Sequence, residues 1–126
     1  MGQIQSIRMS PESIPIAKCV IHQGLVYVSG QVGFKPGTTQ IVEGGIKEQA
    51  RATFQNITNI LKEAGSSVDR ILFVHVYLPN VQRDFAAMNE VFREWVGDHR
   101  PARTTVGADL AIKELLIEVD CVAAVG

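Results

Sequence analysis

Ile4 to Met9 places apolar residues among polar ones in strand-like alternation, and predicts a short first strand. Pro11 and Pro15 bracket an irregular stretch. Lys18–His22 ("KCVIH") and Leu25–Gly30 ("LVYVSG") are rich in β-branched residues and are separated by Gln23-Gly24. A two-residue loop with a glycine free to take positive φ predicts a β-hairpin there. Gly33 to Thr39, with two glycines and a proline, is a loop. From Ile46 the period changes. Ile46, Ala50, Phe54, Ile57, Leu61 and Ala64 recur at steps of three and four, the stripe of a helix with one buried face. Glu48, Arg51, Asn56 and Lys62 fall on its other side, and Gly65 stands where a glycine would end it. Arg70–Pro79 ("RILFVHVYLP") is nearly continuous in β-favouring residues and predicts a strand covered on both faces. Asn80 can cap a second helix with the stripe Phe85, Met88, Phe92 and Trp95, closed by Gly97 and Pro101. Arg103–Gly107 and Leu115–Val125 supply two last strands.

The predicted order is β-β-β-α-β-α-β-β, one α+β domain over residues 1–126, with a mixed six-stranded sheet and two helices on one face. Two helices cover only one side of such a sheet. Several strands are apolar on both sides, so the second face is expected to be buried by oligomerisation.

Composition narrows the function. Apolar residues make up 46% and charged residues 20%, which excludes a disordered chain. The formal charge of −1 offers no broad basic surface, so nucleic acid is not expected as a partner. The N-terminal residues lack an apolar signal segment and no run is long enough to span a bilayer, so neither secretion nor membrane insertion is expected. Gly2 and Ser6 fit a short acylation pattern that is common by chance. Cys19 and Cys121 each lie in an apolar run without a partner at metal-ligand spacing, and are read as buried, reduced thiols of a cytoplasmic protein. No metal site and no cofactor are expected.

His22, His75 and His99 form no ligand set, and His75, flanked on its face by Phe73 and Tyr77, reads as a satisfied core or interface histidine. The C-terminal strands break the apolar pattern. Arg103 opens one of them after Pro101, while Glu118 and Asp120 share a face of the other under period two. Such charges are costly unless they pair or face a wet cleft. From spacing alone three readings stand: Arg103 pairs with Glu118 or Asp120, the charges face bulk solvent, or they serve a site.

Four segments in order bear on that choice: "VYVSGQVG" (Val26–Gly33), "DFAAMNEVF" (Asp84–Phe92), "RPART" (Arg100–Thr104) and "IEVDCVA" (Ile117–Ala123). Together they resemble the signature of the RidA/YjgF family of reactive enamine/imine deaminases over nearly the whole chain. The resemblance implies a chorismate-mutase-like fold, a homotrimer with clefts between subunits, and hydrolysis of 2-aminoacrylate, 2-iminobutyrate or relatives to 2-keto acids and ammonia. It implies that Arg103 grips the substrate carboxylate, a task for a rigid bidentate fork. The main chain at Thr105 would meet the imine nitrogen, and Glu118 would act on the attacking water. The main chain near Gly30 and Gln31 would help line the pocket, and Asn89 matches a family position near the cleft. The same cleft could instead hold a small carboxylate or keto acid without turnover.

The chain departs from the family at one place. The segment usually reading Gly-Pro-Tyr-Ser-Gln is here Ile14-Pro15-Ile16-Ala17-Lys18, so Ile16 stands at the position of a pocket tyrosine. The pocket is expected to be more apolar and short of one hydrogen-bond donor, with Lys18 as an added cation nearby. The final strand reads Glu-Val-Asp for the usual Glu-Ile-Glu, and Ala111-Ile112 replaces Leu-Pro.

Overall fold

The computed structural model describes residues 3–126, so the acylation pattern at Gly2 lies outside the described residues. Strands β1 (Gln5–Arg8), β2 (Ala17–His22) and β3 (Leu25–Val32) precede helix α1 (Gly45–Glu63). Strand β4 (Ile71–Leu78), helix α2 (Val81–Val96), β5 (Ala102–Gly107) and β6 (Glu118–Ala124) follow. The sheet order is β1-β2-β3-β6-β4-β5, with β4 and β5 parallel and the other neighbours antiparallel. This is the mixed six-stranded α+β arrangement that the sequence predicts. The last strand returns to lie between β3 and β4, so the chain's end sits at the centre of the sheet.

Local chemistry explains most elements. Gln23 (φ 52°) and Gly24 (φ 80°) both take left-handed conformations at the β2–β3 turn, which keeps the two strands' twist. Helix α1 buries Ala50, Phe54, Ile57 and Leu61, and ends before Gly65 at φ 83°. Helix α2 buries Met88, Val91, Phe92 and Val96. Asn80 precedes α2, but its side chain makes no capping bond. The first turn instead carries buried Asp84, held by Arg83 through two bonds of 2.8 and 2.9 Å and favourably placed against the helix dipole.

The two helices meet through Phe54, whose ring stacks on Trp95 at 4.5 Å and packs edge-on against Phe92 at 5.8 Å. They cover one side of the sheet, where Cys19, Val26, Val28, Val74, Val76, Leu78, Val119, Cys121 and Ala123 are buried. Burying each larger aliphatic side chain there contributes about 1.5–3 kcal/mol. Among the described residues nothing covers the opposite side: Tyr27 is exposed, and Phe73, His75, Tyr77, Glu118, Asp120 and Val122 are half-buried. Within the protomer strand β4 is covered on one face, the helix side.

Two further expectations change. The final strand begins at Glu118 rather than Leu115. Leu115 and Ile117 are buried nonetheless, because Gln49 of α1 stands in for a ladder: its amide donates to the Glu114 carbonyl (3.1 Å) and accepts from the Leu116 N–H (2.8 Å). Asn56, predicted to face outward, turns to the loop after β3 and donates to the Val32 and Phe34 carbonyls at 3.1 and 3.0 Å. Backbone groups that no strand pairs are thus satisfied by two α1 amides.

Candidate functional site

The predicted site residues fall into two groups. Arg103 and Thr105 pair across the β4–β5 ladder with Val74 and Val76, which belong to the helix-facing side. Glu118 pairs with Tyr77 on β4 and with Val32 on β3, and points to the other side together with Asp120. Arg103 and Glu118 of one protomer therefore lie on opposite faces of the sheet. The pairing of Arg103 with Glu118 or Asp120 that spacing alone allowed is not formed.

Arg103 sits on the edge strand under α2. Phe85, Asn89 and Phe92 are spaced i, i+4, i+7 and so share one stripe of that helix. The guanidinium lies 4.6 Å from the centre of the Phe92 ring and 5.7 Å from that of Phe85, and its Nη1 donates to the Asn89 Oδ1 at 2.8 Å. Aromatic faces and an amide oxygen hold a cation without neutralising it. No carboxylate joins the group among the described residues, and burial lowers the guanidinium's pKa from its ordinary value. Arginine remains charged under such a shift. The remaining N–H groups form an unsatisfied fork suited to a bidentate anion. Thr105, two residues on and on the same side, carries a buried hydroxyl without a protein partner. Phe85 was expected in the core stripe but is 42% exposed, because its ring covers the guanidinium rather than the helix pair. The two rings were missed as site residues; their spacing around Asn89 was the available signal.

The second group is built on a bulge. Pairing between β3 and β6 passes from Val28–Cys121 to Gln31–Val119, so Ser29 and Gly30 together oppose the single residue Asp120. Gln31 donates from its amide to the Ser29 carbonyl (3.2 Å), and the Ser29 hydroxyl donates to the Ala17 carbonyl (2.7 Å). The second bond ties the bulge to the stretch carrying Ile16, which is 51% exposed. Lys18 forms a 3.5 Å ion pair with Glu63. A cleft of about 290 Å³ beside Ile14, Pro15 and Ile16 adjoins this region. Burial, and then the neighbouring Asp120, hold the Glu118 carboxyl above the ordinary range. Asp120 is engaged by His75 Nδ1 at 2.7 Å, which satisfies that histidine as expected. Tyr77, close to both acids, is also pushed up, first by burial and then by Asp120.

Gly30 and Glu118 thus share the uncovered side, and Arg103, Thr105 and Asn89 the other; Gln31, paired with Val119 beyond the bulge, belongs to the helix-facing side of its strand, and Ile16 is joined to the bulge only through its neighbour Ala17. A separate cleft of about 470 Å³ lies between the C-terminal ends of the helices, by Lys62 and Trp95, and includes neither group. Among the described residues no cluster of His, Cys, Asp and Glu could hold a metal ion, and no helix is long and apolar enough to cross a membrane.

The fold and these two groups define a two-layer α+β protein with an arginine free of acids at a sheet edge and a paired acid cluster on its uncovered face. The Endoribonuclease L-PSP family model matches residues 11–125, and the chain belongs to that family, the RidA/YjgF proteins. It is 42% identical over 113 residues to the mitochondrial protein mmf2 of Schizosaccharomyces pombe, covering 87% of each chain. It is 30% identical over 125 residues to the 2-iminobutanoate/2-iminopropanoate deaminase of Homo sapiens, covering 98% of this chain and 90% of that one. The crystal structure of yeast Mmf1 superposes with a TM-score of 0.90 at 31% identity, covering 98% of this chain and all of the other.

Proposed function

We propose that this protein is a hydrolase that deaminates reactive small 2-imino and enamine acids, of the 2-aminoacrylate and 2-iminobutyrate class, to 2-keto acids and ammonia. The observation that carries the proposal is Arg103: a charged fork, ringed by Phe85 and Phe92, with an amide and no acid as its partner. A substrate carboxylate would complete it. Homology at 30% identity to a named iminobutanoate deaminase supports the reaction class.

Because Arg103 and Glu118 lie on opposite sides of one sheet, the working site is a cleft between two copies in a homotrimer. One copy supplies Arg103, Asn89 and Thr105; its neighbour supplies Glu118, the main chain near Gly30 and Gln31, and Ile16. Glu118 takes a proton from water as the oxygen attacks the imine carbon. Starting from the protonated imine, Glu118 passes that proton to the nitrogen of the resulting carbinolamine; the C–N bond then breaks and ammonia leaves as the hydroxyl gives its proton back to Glu118 and becomes the carbonyl. The Thr105 main chain meets the nitrogen, and Ile16 lends an apolar wall in place of a hydroxyl. No metal or cofactor enters these steps. Buried thiols suit a reducing compartment, and the cytoplasm remains the proposed location.

The test is keto-acid formation from iminobutyrate generated by a dehydratase, with and without the purified protein. Acceleration that Arg103→Ala abolishes supports the proposal, whereas a rate unchanged by the protein overturns it. Binding of 2-ketobutyrate without turnover would favour the alternative, a carboxylate-binding module, over the enzyme.

A further inference from the structure

Glu118 can accept a proton from water only if its carboxylate is held in one place, and β6 alone does not hold it. The side chain makes no hydrogen bond or ion pair to another side chain among the described residues; Asp120, two residues on, is the acid that His75 engages. What it does meet is the β3 backbone. A methyl group built on Gly30 would lie 2.2 Å from Glu118 Oε2 and 3.0 Å from its carboxyl carbon. No real β-carbon sits that close, so a side chain at position 30 and the Glu118 carboxylate in its present place exclude one another, and the carboxylate would have to move. Gly30 does not have a left-handed φ, so backbone conformation does not call for glycine there. The requirement is the space.

We infer that Gly30 is a positioning residue whose missing side chain forms the seat of the Glu118 carboxylate, and that the Ser29–Gly30 bulge fixes that seat in the sheet. The bulge turns the Gly30 α-carbon over the neighbouring strand, and the Ser29 hydroxyl bond to Ala17 and the Gln31 amide bond to Ser29 lock it. A carboxylate pressed against backbone is partly stripped of water, in keeping with the upward shift of its pKa, while Asp120 on the same face adds like charge. His75, Tyr77 and Asp120 are the titratable groups facing it from β4 and β6.

The inference rests on the proposed role of Glu118, and its test separates the two. First, the Glu118 carboxyl is titrated by carbon NMR in the wild type and in Gly30→Ala, with Glu118→Gln for assignment; this requires no activity. An elevated titration in the wild type that falls toward the ordinary glutamate range in Gly30→Ala supports the seat. Identical titration overturns it. Second, in the keto-acid assay Gly30→Ala is expected to lower kcat by roughly 10- to 100-fold with KM within about threefold, as a displacement near 1 Å does. The acidic limb of its pH profile should move to lower pH. Third, shortening the acid makes room: Gly30→Ala should lower the melting temperature of the wild type but leave that of the Glu118→Asp background unchanged. An equal penalty in both backgrounds overturns the seat even if Gly30→Ala alone folds poorly. An inactive wild type with a shifted titration would defeat the deaminase reading and leave the seat standing.

Discussion

The two faces of the sheet are made from the same strands and yet solve the problem of charge differently. On the helix side, β-branched residues and the Phe54–Phe92–Trp95 cluster exclude water, and the Arg103 guanidinium stands at the β5 edge, where rings and an amide surround it. On the uncovered side, acids stand in mid-sheet beside His75, Tyr77 and the Gly30 backbone. An aromatic-lined edge keeps a guanidinium ionised and available. A half-wet sheet face raises a carboxyl toward the proton affinity a base needs. Neither face contains both, so contact between copies would complete the chemistry.

The largest expected effect breaks the helix-side half of that contrast. Arg103→Ala should reduce keto-acid formation by about 30- to 1,000-fold, the range for losing one partner of a desolvated charged contact. Arg103→Lys should recover little of it, because an ammonium lacks the fork. Rates within threefold of wild type would remove Arg103 from the site.

Packing gives the next contrast. Leu78, fully buried under α2, should cost about 2–5 kcal/mol on truncation to Ala, measured by denaturant unfolding. Tyr27 on the uncovered face should behave differently. Tyr27→Ser is expected to shift gel-filtration elution toward the monomer while changing protomer unfolding by about 0.5 kcal/mol or less. Equal losses of stability with unchanged elution would erase the distinction between the faces.

A smaller effect sharpens the electrostatic half. The Glu118 carboxyl titrates above its unfolded value, so its contribution to stability is fully present below the unfolded pKa and is lost as pH rises through the folded one. Glu118→Gln should therefore melt about 1–3 °C higher than wild type at pH 7. The difference should vanish below about pH 4, where the unfolded glutamate is also protonated. A wild type more stable than the variant at pH 7 would contradict the sign.

The smallest effect is an expected silence. Burial pushes the Cys121 thiol up to about 12, with Asp120 adding to it, and raises Cys19 as well, through burial and then Glu63. Neither should react with a disulfide reagent at pH 7 in the folded protein, and both should react in urea. Rapid labelling of either thiol would show that the helix side is not sealed.

The sequence by itself determined the elements and their order. A 3.6-residue stripe, a Gln-Gly turn and β-branched runs act over a few neighbours, and α1, the β2–β3 hairpin and β4 followed from them. It also determined the family, because four short segments keep their residues and order, and with it Arg103 and Glu118 as the residues to watch. Only the tertiary structure decided which side of the sheet each charge takes. That parity depends on the register between β6, β4 and β5, which are joined by long connections, and a one-residue shift in any ladder would reverse it. The bulge at Ser29–Gly30, the Gln49 bonds that replace a strand at Leu115–Ile117, and the turn of Phe85 from core to guanidinium are likewise settled by partners distant in sequence. Local pattern fixes what a segment is; the pairing of remote segments fixes what it faces.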